Sequence, residues 1–404
     1  MRCGLLGKKL GHSYSPEIHA RLGDYGYDLF EKTEAELPDF LRTGPWDGLN
    51  VTIPYKKTVV PYCDALSDAA RRTGSVNTLV RRDGRIWGDN TDAAGFLYLV
   101  SASGLDLGGQ KTLVLGSGGA SAAVCAALET LGARSVVISR SGKDNYENLS
   151  RHADARFVVN ATPLGMYPEN GVSPLDPAIF ADCRGVFDAV YNPARTALLL
   201  RAEALGIPGF NGLAMLVAQA AKSCEDFTGA PVPEERVRSV ERELRKRMEN
   251  IILIGMPGCG KSTLASLLGA ATGREVLDAD AAVAAAAGLS IPEIFAREGE
   301  EGFRRRETEV LGELGKASGK IIATGGGCVT REANYPLLHQ NGRMLWLRRD
   351  AEKLPARGRP LSMAGDLREM AKVREPLYRR FADAVIDNDS TPEETLRRIM
   401  EVIA

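Results

Sequence analysis

The most explicit chemistry in this sequence lies in Gly255-Met-Pro-Gly-Cys-Gly-Lys261-Ser262-Thr263. Its glycines let backbone N–H groups curl round a polyphosphate, Lys261 sets a point charge against the terminal phosphates, and the Ser262 hydroxyl can ligate Mg²⁺. Gly258, Cys259, Gly260, Lys261, Ser262 and Thr263 are therefore the expected nucleotide-binding residues. Next come Leu277-Asp278-Ala279-Asp280. Read as a strand end, that spacing puts both carboxylates on one side, where one can orient Mg²⁺ through water and the other can accept a hydroxyl proton. Phe303-Arg304, Thr324-Gly325-Gly326-Gly327, Arg359-Pro360-Leu361 and Arg374 follow. A single arginine in such segments is ordinarily a solvated surface charge. Two of them with a glycine N–H suit the grip of a planar carboxylate.

The first half carries a different set. Gly116-Ser117-Gly118-Gly119-Ala120-Ser121 follows the strand-like Leu113-Val-Leu and precedes a helical stretch, close to a dinucleotide-binding fingerprint, with Ser121 where Gly or Ala usually stands. The next strand runs into Arg140-Ser141-Gly142-Lys143. An acid there would accept a ribose 2′-hydroxyl; an arginine suits a 2′-phosphate, which favours NADP over NAD. Four further segments concentrate polar groups: Gly11-His12-Ser13-Tyr14-Ser15-Pro16, Gly48 to Lys56, Gly74 to Thr78, and Gly88-Asp89-Asn90-Thr91-Asp92. Each has an ordinary explanation, with Ser13, Ser15 or Asp92 as a helix cap and Lys56 as a surface lysine.

The elements that must position these residues alternate, strand-like with helix-like, as in α/β domains with largely parallel sheets. Asp83-Gly84 between Val76–Arg82 and Arg85–Gly88 marks a tight hairpin. Lys111–Leu115, Ser135–Ser139, Phe157–Ala161 and Val186–Val190 read as strands, and Leu213–Phe227 as an amphipathic helix. Val237, Val240, Leu244 and Met248 put an apolar stripe on a charged helix, after which Asn250 opens a new strand.

The 404 residues allow two or three domains, and 44% apolar with 25% charged residues is ordinary globular composition. Bases and acids balance, 29 to 30 up to Glu249 and 22 to 22 after it, so no nucleic-acid partner is expected. Seven scattered cysteines and four histidines form no disulfide framework and no metal motif. The short apolar run at the N-terminus and the lack of any span of about 20 apolar residues point to a cytoplasmic protein with no membrane contact.

Jointly, the polar segments of the first half resemble shikimate dehydrogenase over about Met1 to Met248, and the second half resembles shikimate kinase over Asn250 to Ala404. The first resemblance implies that Ser13, Ser15, Thr52, Asn77, Asp92, Tyr191 and Gln219 surround the substrate, with Lys56 and Asp92 as the catalytic pair. Gly116, Ser117, Gly118, Gly119, Ala120, Ser121, Arg140, Ala189 and Gly212 would touch NADP, and Asp68 stands with them. The second implies that Asp280, Arg304, Gly326 and Arg374 hold shikimate, with Asp280 at the hydroxyl to be phosphorylated. Ser262 and Asp278 would sit by Mg²⁺, and Arg359 would reach ATP from a lid, with Arg357 nearby. Thr391-Pro392 would face adenine. The segment between Trp346 and Arg359 is shorter than the family's helix and lid.

The expected organisation is residues 1–102 with 213–230 as a substrate domain, 103–212 as a Rossmann-type NADP domain, 231–249 as a connecting helix, and 250–404 as a P-loop kinase domain. The expected function is bifunctional: NADPH-dependent reduction of 3-dehydroshikimate, then MgATP-dependent phosphorylation of shikimate. An NAD-using quinate/shikimate dehydrogenase fused to the kinase and a catalytically dead metabolite sensor are the alternatives. The oligomeric state, a homodimer included, stays open.

Overall fold

The computed structural model describes residues 1–11, 13–354 and 367–404. Arg357 and Arg359 lie outside the described residues, as does His12. The chain forms two compact units, 1–191 with 196–244, and 192–195 with 245–404. The division falls inside the helix Glu234–Met248, a few residues before the junction expected at 249/250.

The first unit contains two sheets. Strands β1 (Arg2–Gly7), β2 (Gly26–Glu31), β3 (Gly48–Val51), β4 (Ala65–Leu66), β5 (Thr78–Arg82) and β6 (Arg85–Asp89) lie in the order β2-β1-β3-β5-β6-β4. β5 and β6 form the expected hairpin, with Asp83 and Gly84 at φ of 50° and 74°, the left-handed pair that a type I′ turn requires. The second sheet is fully parallel, with β7 (Lys111–Leu115), β8 (Arg134–Ile138), β9 (Phe157–Asn160), β10 (Gly185–Asp188) and β11 (Gly209–Phe210) in the order β11-β10-β9-β7-β8. Its central strands are buried on both faces, which explains why β7, β9 and β10 read as nearly continuous apolar runs. The helix Asp92–Ser103 packs against Leu213–Thr228, and both contribute to the apolar cluster that also holds Val114, Phe157 and Phe187.

The second unit is built on one parallel sheet. β12 (Asn250–Ile254), β13 (Val276–Asp278), β14 (Ile321–Ala323), β15 (Gly342–Arg348) and β16 (Ala384–Asp387) lie in the order β13-β14-β12-β15-β16. β12 is buried along its whole length at the sheet centre, so the loop that leaves it emerges at the C-terminal edge, where α/β sheets bind ligands. The helix Lys261–Thr272 starts from that loop. One expectation needs correction. Asp280 is not at a strand end, because β13 stops at Asp278 and Asp280 sits in the first turn of the helix Ala279–Ala287. Asp278 is the N-cap of that helix, its Oδ1 accepting from Ala281 N at 3.0 Å. A capping carboxylate ends the strand early, so the alternation that put the two acids on one side does not apply.

Candidate functional sites

The first unit encloses a cavity of about 220 Å³ beside the C-terminal ends of β1 and β3. Ser13, Ser15, Thr52, Lys56, Asn77, Tyr191 and Gln219, named from five separated stretches of sequence, all line it. Asp92 lies just behind. Its Oδ2 accepts from Lys56 Nζ at 2.6 Å and its Oδ1 from Asn77 Nδ2 at 2.9 Å. The Lys56 side chain is 26% exposed and that of Asp92 only 5%, so the ammonium faces the cavity while the carboxylate is held in the wall. Thr91, not Asp92, is the N-cap of the helix that follows, and Tyr14 caps the helix Ser15–Leu22 without a side-chain bond. The simpler capping role therefore does not hold for Asp92 or Ser15, whereas Ser13 Oγ accepts from Ser15 N at 3.2 Å, at the first residue of its helix.

The sequence reading missed three more polar lining residues, Tyr14, His19 and Asn50. Tyr14 meets Tyr191 edge-on at 6.1 Å, and burial pushes the Tyr191 hydroxyl up. His19 is stacked on Tyr27 at 4.1 Å, and its Nδ1 lies 2.7 Å from Tyr25 Oη. Burial lowers its pKa to about 3, so His19 is neutral at ordinary pH.

In the parallel sheet of the same unit, the glycine loop leaves β7 with Gly116 at φ 105°, and Gly118 caps the helix Gly119–Thr130. A Cβ at Gly116 would meet Thr162 Cγ2 at 2.9 Å, whereas nothing lies within 4 Å of one at Gly118. The space before the helix N-terminus is thus open to backbone approach by an anion, with Ser117 exposed beside it and Ala120 half-buried. Ser121 is buried at 2% and takes the small-residue place where helix meets sheet. Arg140 is exposed just past β8. Ala189 and Gly212 are brought together, since a Cβ on Gly212 would lie 2.1 Å from the Ala189 carbonyl oxygen. Asp68 is set apart from the loop's hydrogen bonds, exposed and paired with Arg71 at 2.9 Å.

Asp188 ends β10 in the same sheet. It is fully buried and accepts from Asn160 Nδ2 (2.9 Å), Val190 N (3.0 Å) and Thr196 Oγ1 (2.7 Å). Burial still outweighs those donors and pushes its carboxyl from 3.8 to about 7. Between those values the folded chain holds a proton that the unfolded chain has lost. Stability from this group therefore falls as pH rises through the window, and the full cost is present above about 7. Asp188→Asn is expected to reduce the fall in Tm from about pH 4 to 7; an unchanged slope in thermal melts would contradict this.

In the second unit, Gly258 and Gly260 stand at φ 82° and 100°, and Cys259 between them is fully buried. Lys261 is buried at 7% and its Nζ donates to the carbonyls of Gly255 (2.8 Å) and Met256 (3.0 Å), folded back over the loop it serves. Ser262 and Thr263 are exposed, and Ser262 Oγ donates to Asp278 Oδ2 at 3.0 Å. A hydroxyl backed by a carboxylate fits a Mg²⁺ site whose remaining ligands are phosphate and water. Asn388, another residue the sequence reading missed, donates from Nδ2 to the Cys259 carbonyl, and its Oδ1 accepts from Thr395 Oγ1 at 2.8 Å. Thr391 caps the helix Pro392–Ile403 next to it.

The acceptor-side residues converge on the glycine turn after β14. The Gly326 carbonyl accepts from Arg374 Nη1 at 3.1 Å and from Tyr378 Oη. A Cβ on Gly325 would lie 2.5 Å from Glu307 Oε1 and 2.8 Å from Asp280 Oδ1, so both carboxylates face that turn. Arg304, 5% exposed, is held by Glu307 Oε2 at 2.7 Å, and its Nε has no hydrogen-bond partner among the described residues. Glu307 is a missed member of this group; burial raises its pKa, and Arg304 opposes that. Nothing local in the sequence marks it, since only the helix that breaks at Gly299 brings it inward. Among the described residues there is no cluster of His, Cys, Asp and Glu that would hold a metal by itself, and no single helix is long and apolar enough to cross a membrane.

Comparison with known proteins gives two matches along the chain. The family model described as the shikimate dehydrogenase substrate binding domain matches residues 5–79, and the shikimate kinase model matches residues 257–404. The shikimate dehydrogenase (NADP(+)) of Oleidesulfovibrio alaskensis is 39% identical over 261 residues, which span 59% of this chain and 93% of the relative. That of Clostridium perfringens strain SM101 is 33% identical, spanning 60% and 98%. Among solved structures, the Thermus thermophilus shikimate 5-dehydrogenase in complex with NADP(H) and shikimate superposes with a TM-score of 0.56 at 32% identity, covering 60% of this chain and 99% of that one. A chorismate mutase/shikimate 5-dehydrogenase fusion protein from Clostridium acetobutylicum gives 0.57 at 36% identity, covering 60% and 97%.

Proposed function

We propose, because this chain belongs to the shikimate dehydrogenase family over its first 60% and carries a shikimate kinase domain at 257–404, that it performs two consecutive reactions on one ring. The first is reduction of 3-dehydroshikimate by NADPH; the second is phosphorylation of shikimate by MgATP. The observation that carries the first is the Lys56–Asp92 pair at 2.6 Å in the wall of a cavity ringed by hydroxyl and amide groups.

NADPH, when bound, supplies the hydride. Lys56 donates a hydrogen bond and then a proton to the ketone oxygen as negative charge develops there. Asp92 keeps the ammonium aimed, through the 2.6 Å hydrogen bond it accepts. Ser13, Ser15, Thr52, Asn77, Tyr191 and Gln219 supply partners for the ring hydroxyls and the carboxylate. The glycine loop Gly116–Ser121, with Ala189 and Gly212, offers the backbone surface for the dinucleotide, and exposed Arg140 favours the 2′-phosphate of NADP.

In the second unit Mg²⁺, when bound, screens phosphate charge, with Ser262 as its ligand and Asp278 behind it. Arg304 and Arg374 hold the substrate carboxylate, Gly326 lies beside it, and Asp280 accepts the hydroxyl proton. A test of the carboxylate grip follows from Gly327. A Cβ there would lie 2.0 Å from Arg304 Nη2, and the buried pairing with Glu307 leaves the guanidinium little room to retreat. Gly327→Ala is expected to raise the KM for shikimate about tenfold or more, with the KM for ATP changed less. Equal changes in both constants would contradict the grip. The overall reading is tested by two separate assays: NADPH oxidation with 3-dehydroshikimate and ADP release with shikimate. A purified chain that fails either assay fails that half of the proposal.

A further inference from the structure

Behind the Lys56–Asp92 pair, the first unit buries a connected set of side-chain hydrogen bonds that extends well beyond the cavity. Asn77 Nδ2 donates to Asp92 Oδ1 at 2.9 Å and to Thr91 Oγ1 at 3.1 Å. Asn77 Oδ1 accepts from Thr91 N at 2.8 Å and from Thr78 Oγ1 at 3.0 Å. Both threonine hydroxyls then meet one atom, Ser223 Oγ, at 2.8 Å from Thr78 and 3.3 Å from Thr91. Asn50 Nδ2 donates to the same oxygen at 2.7 Å, and Asn50 Oδ1 accepts from Tyr27 Oη at 2.7 Å. Ser223 is 0% exposed and does not line the cavity. It stands one helical turn beyond Gln219, which does.

The hydrogen-bond valences make Ser223 the hub. Thr78 spends its own proton on Asn77 Oδ1, so the single Ser223 proton is shared between Thr78 Oγ1 at 2.8 Å and the Gln219 carbonyl at 3.0 Å, which leaves two lone pairs as acceptors. One takes the Asn50 N–H at 2.7 Å and the other the Thr91 O–H at 3.3 Å. The Thr91 N–H and the Thr78 O–H hold the Asn77 oxygen away from Asp92, so the amide presents N–H to Asp92 and to Thr91 Oγ1. Thr91 Oγ1 lies 3.3 Å from both Ser223 Oγ and Asn77 Oδ1, and its proton is drawn to Ser223 by the free lone pair there. A flipped amide would set an oxygen against the carboxylate. We propose that Ser223 is a positioning residue for the reduction: through Thr91 and Asn77 it fixes the Asp92 carboxylate that aims Lys56. This rests on the dehydrogenase reading above.

The test is kinetic, on the full chain. Ser223→Ala is expected to lower kcat for 3-dehydroshikimate reduction about tenfold, with KM within about twofold, because substrate contacts stay while the acid is mis-aimed. Thr91→Val should do the same and Thr91→Ser should restore the rate. The double variant Ser223→Ala/Thr91→Val should be no slower than the worse single one, as members of one relay are not additive. Cys224→Ala, the next residue along and also buried, faces Tyr25 and Cys3 and should lower Tm without lowering kcat. A kcat for Ser223→Ala within twofold of the parent, a loss matched by Cys224→Ala, or a fully additive double variant would overturn the relay. Should Ser223→Ala not fold, Thr91→Val against Thr91→Ser decides: equal rates overturn it. A parent chain that does not reduce 3-dehydroshikimate contradicts the dehydrogenase reading itself; an active parent with an undamaged Ser223→Ala contradicts only the relay.

Discussion

Lys56→Ala should lower kcat for the reduction of 3-dehydroshikimate by about two to four decades, with substrate affinity changed far less. The reason is a process of elimination inside one cavity. Four lining side chains could carry the proton, Lys56, His19, Tyr14 and Tyr191; the tyrosine hydroxyls bring no positive charge to a developing oxyanion, and burial pushes that of Tyr191 up. Burial lowers His19 to about 3 and its Nδ1 is engaged with Tyr25, so it is a neutral imidazole, too weak an acid to supply the proton. Lys56 Nζ lies 2.6 Å from Asp92 Oδ2 and its side chain is part-exposed towards the substrate space. Removing it takes away both the proton and the positive charge that meets the developing oxyanion. Steady-state kinetics at saturating NADPH measure this; near-normal turnover would remove Lys56 from the mechanism.

Asp280→Asn should lower shikimate phosphorylation by about two to four decades while MgATP still binds. Two carboxylates face the glycine turn, and their surroundings assign different work to each. Glu307 is 1% exposed and locked to Arg304 at 2.7 Å, so its charge is committed to holding the guanidinium. Asp280 is exposed in the first turn of its helix, where a carboxylate can reach a bound hydroxyl. Asn keeps the shape and removes the base. Single-turnover phosphorylation with a parallel nucleotide titration separates the two effects. Full turnover in Asp280→Asn, together with loss in Glu307→Gln, would move the base to Glu307.

The parts of this molecule that could be read from sequence are those whose cause is local. β7 and β12 announce themselves because a strand buried on both faces must be apolar throughout. Asp83-Gly84 and the phosphate loop are legible because left-handed backbone needs particular residues at particular spacings. The cavity residues were named from a joint resemblance, and the structure brings all seven that line it to one place. Asp280 was put on the wrong element because a capping aspartate and a strand-end aspartate look alike in sequence. Glu307, Asn388 and Ser223 had no local signal. Asn388 reaches Cys259 across 129 residues and Ser223 reaches Asn50 across 173, and partners that distant are set by topology alone.

The central claim is that one chain takes one ring through both sites in succession. A single purified preparation supplied with 3-dehydroshikimate, NADPH and MgATP should yield shikimate 3-phosphate. Its Lys56→Ala variant should leave the ketone unreduced, and its Asp280→Asn variant should accumulate free shikimate. Absence of shikimate 3-phosphate from the parent chain, or its undiminished formation by either variant, would contradict the claim.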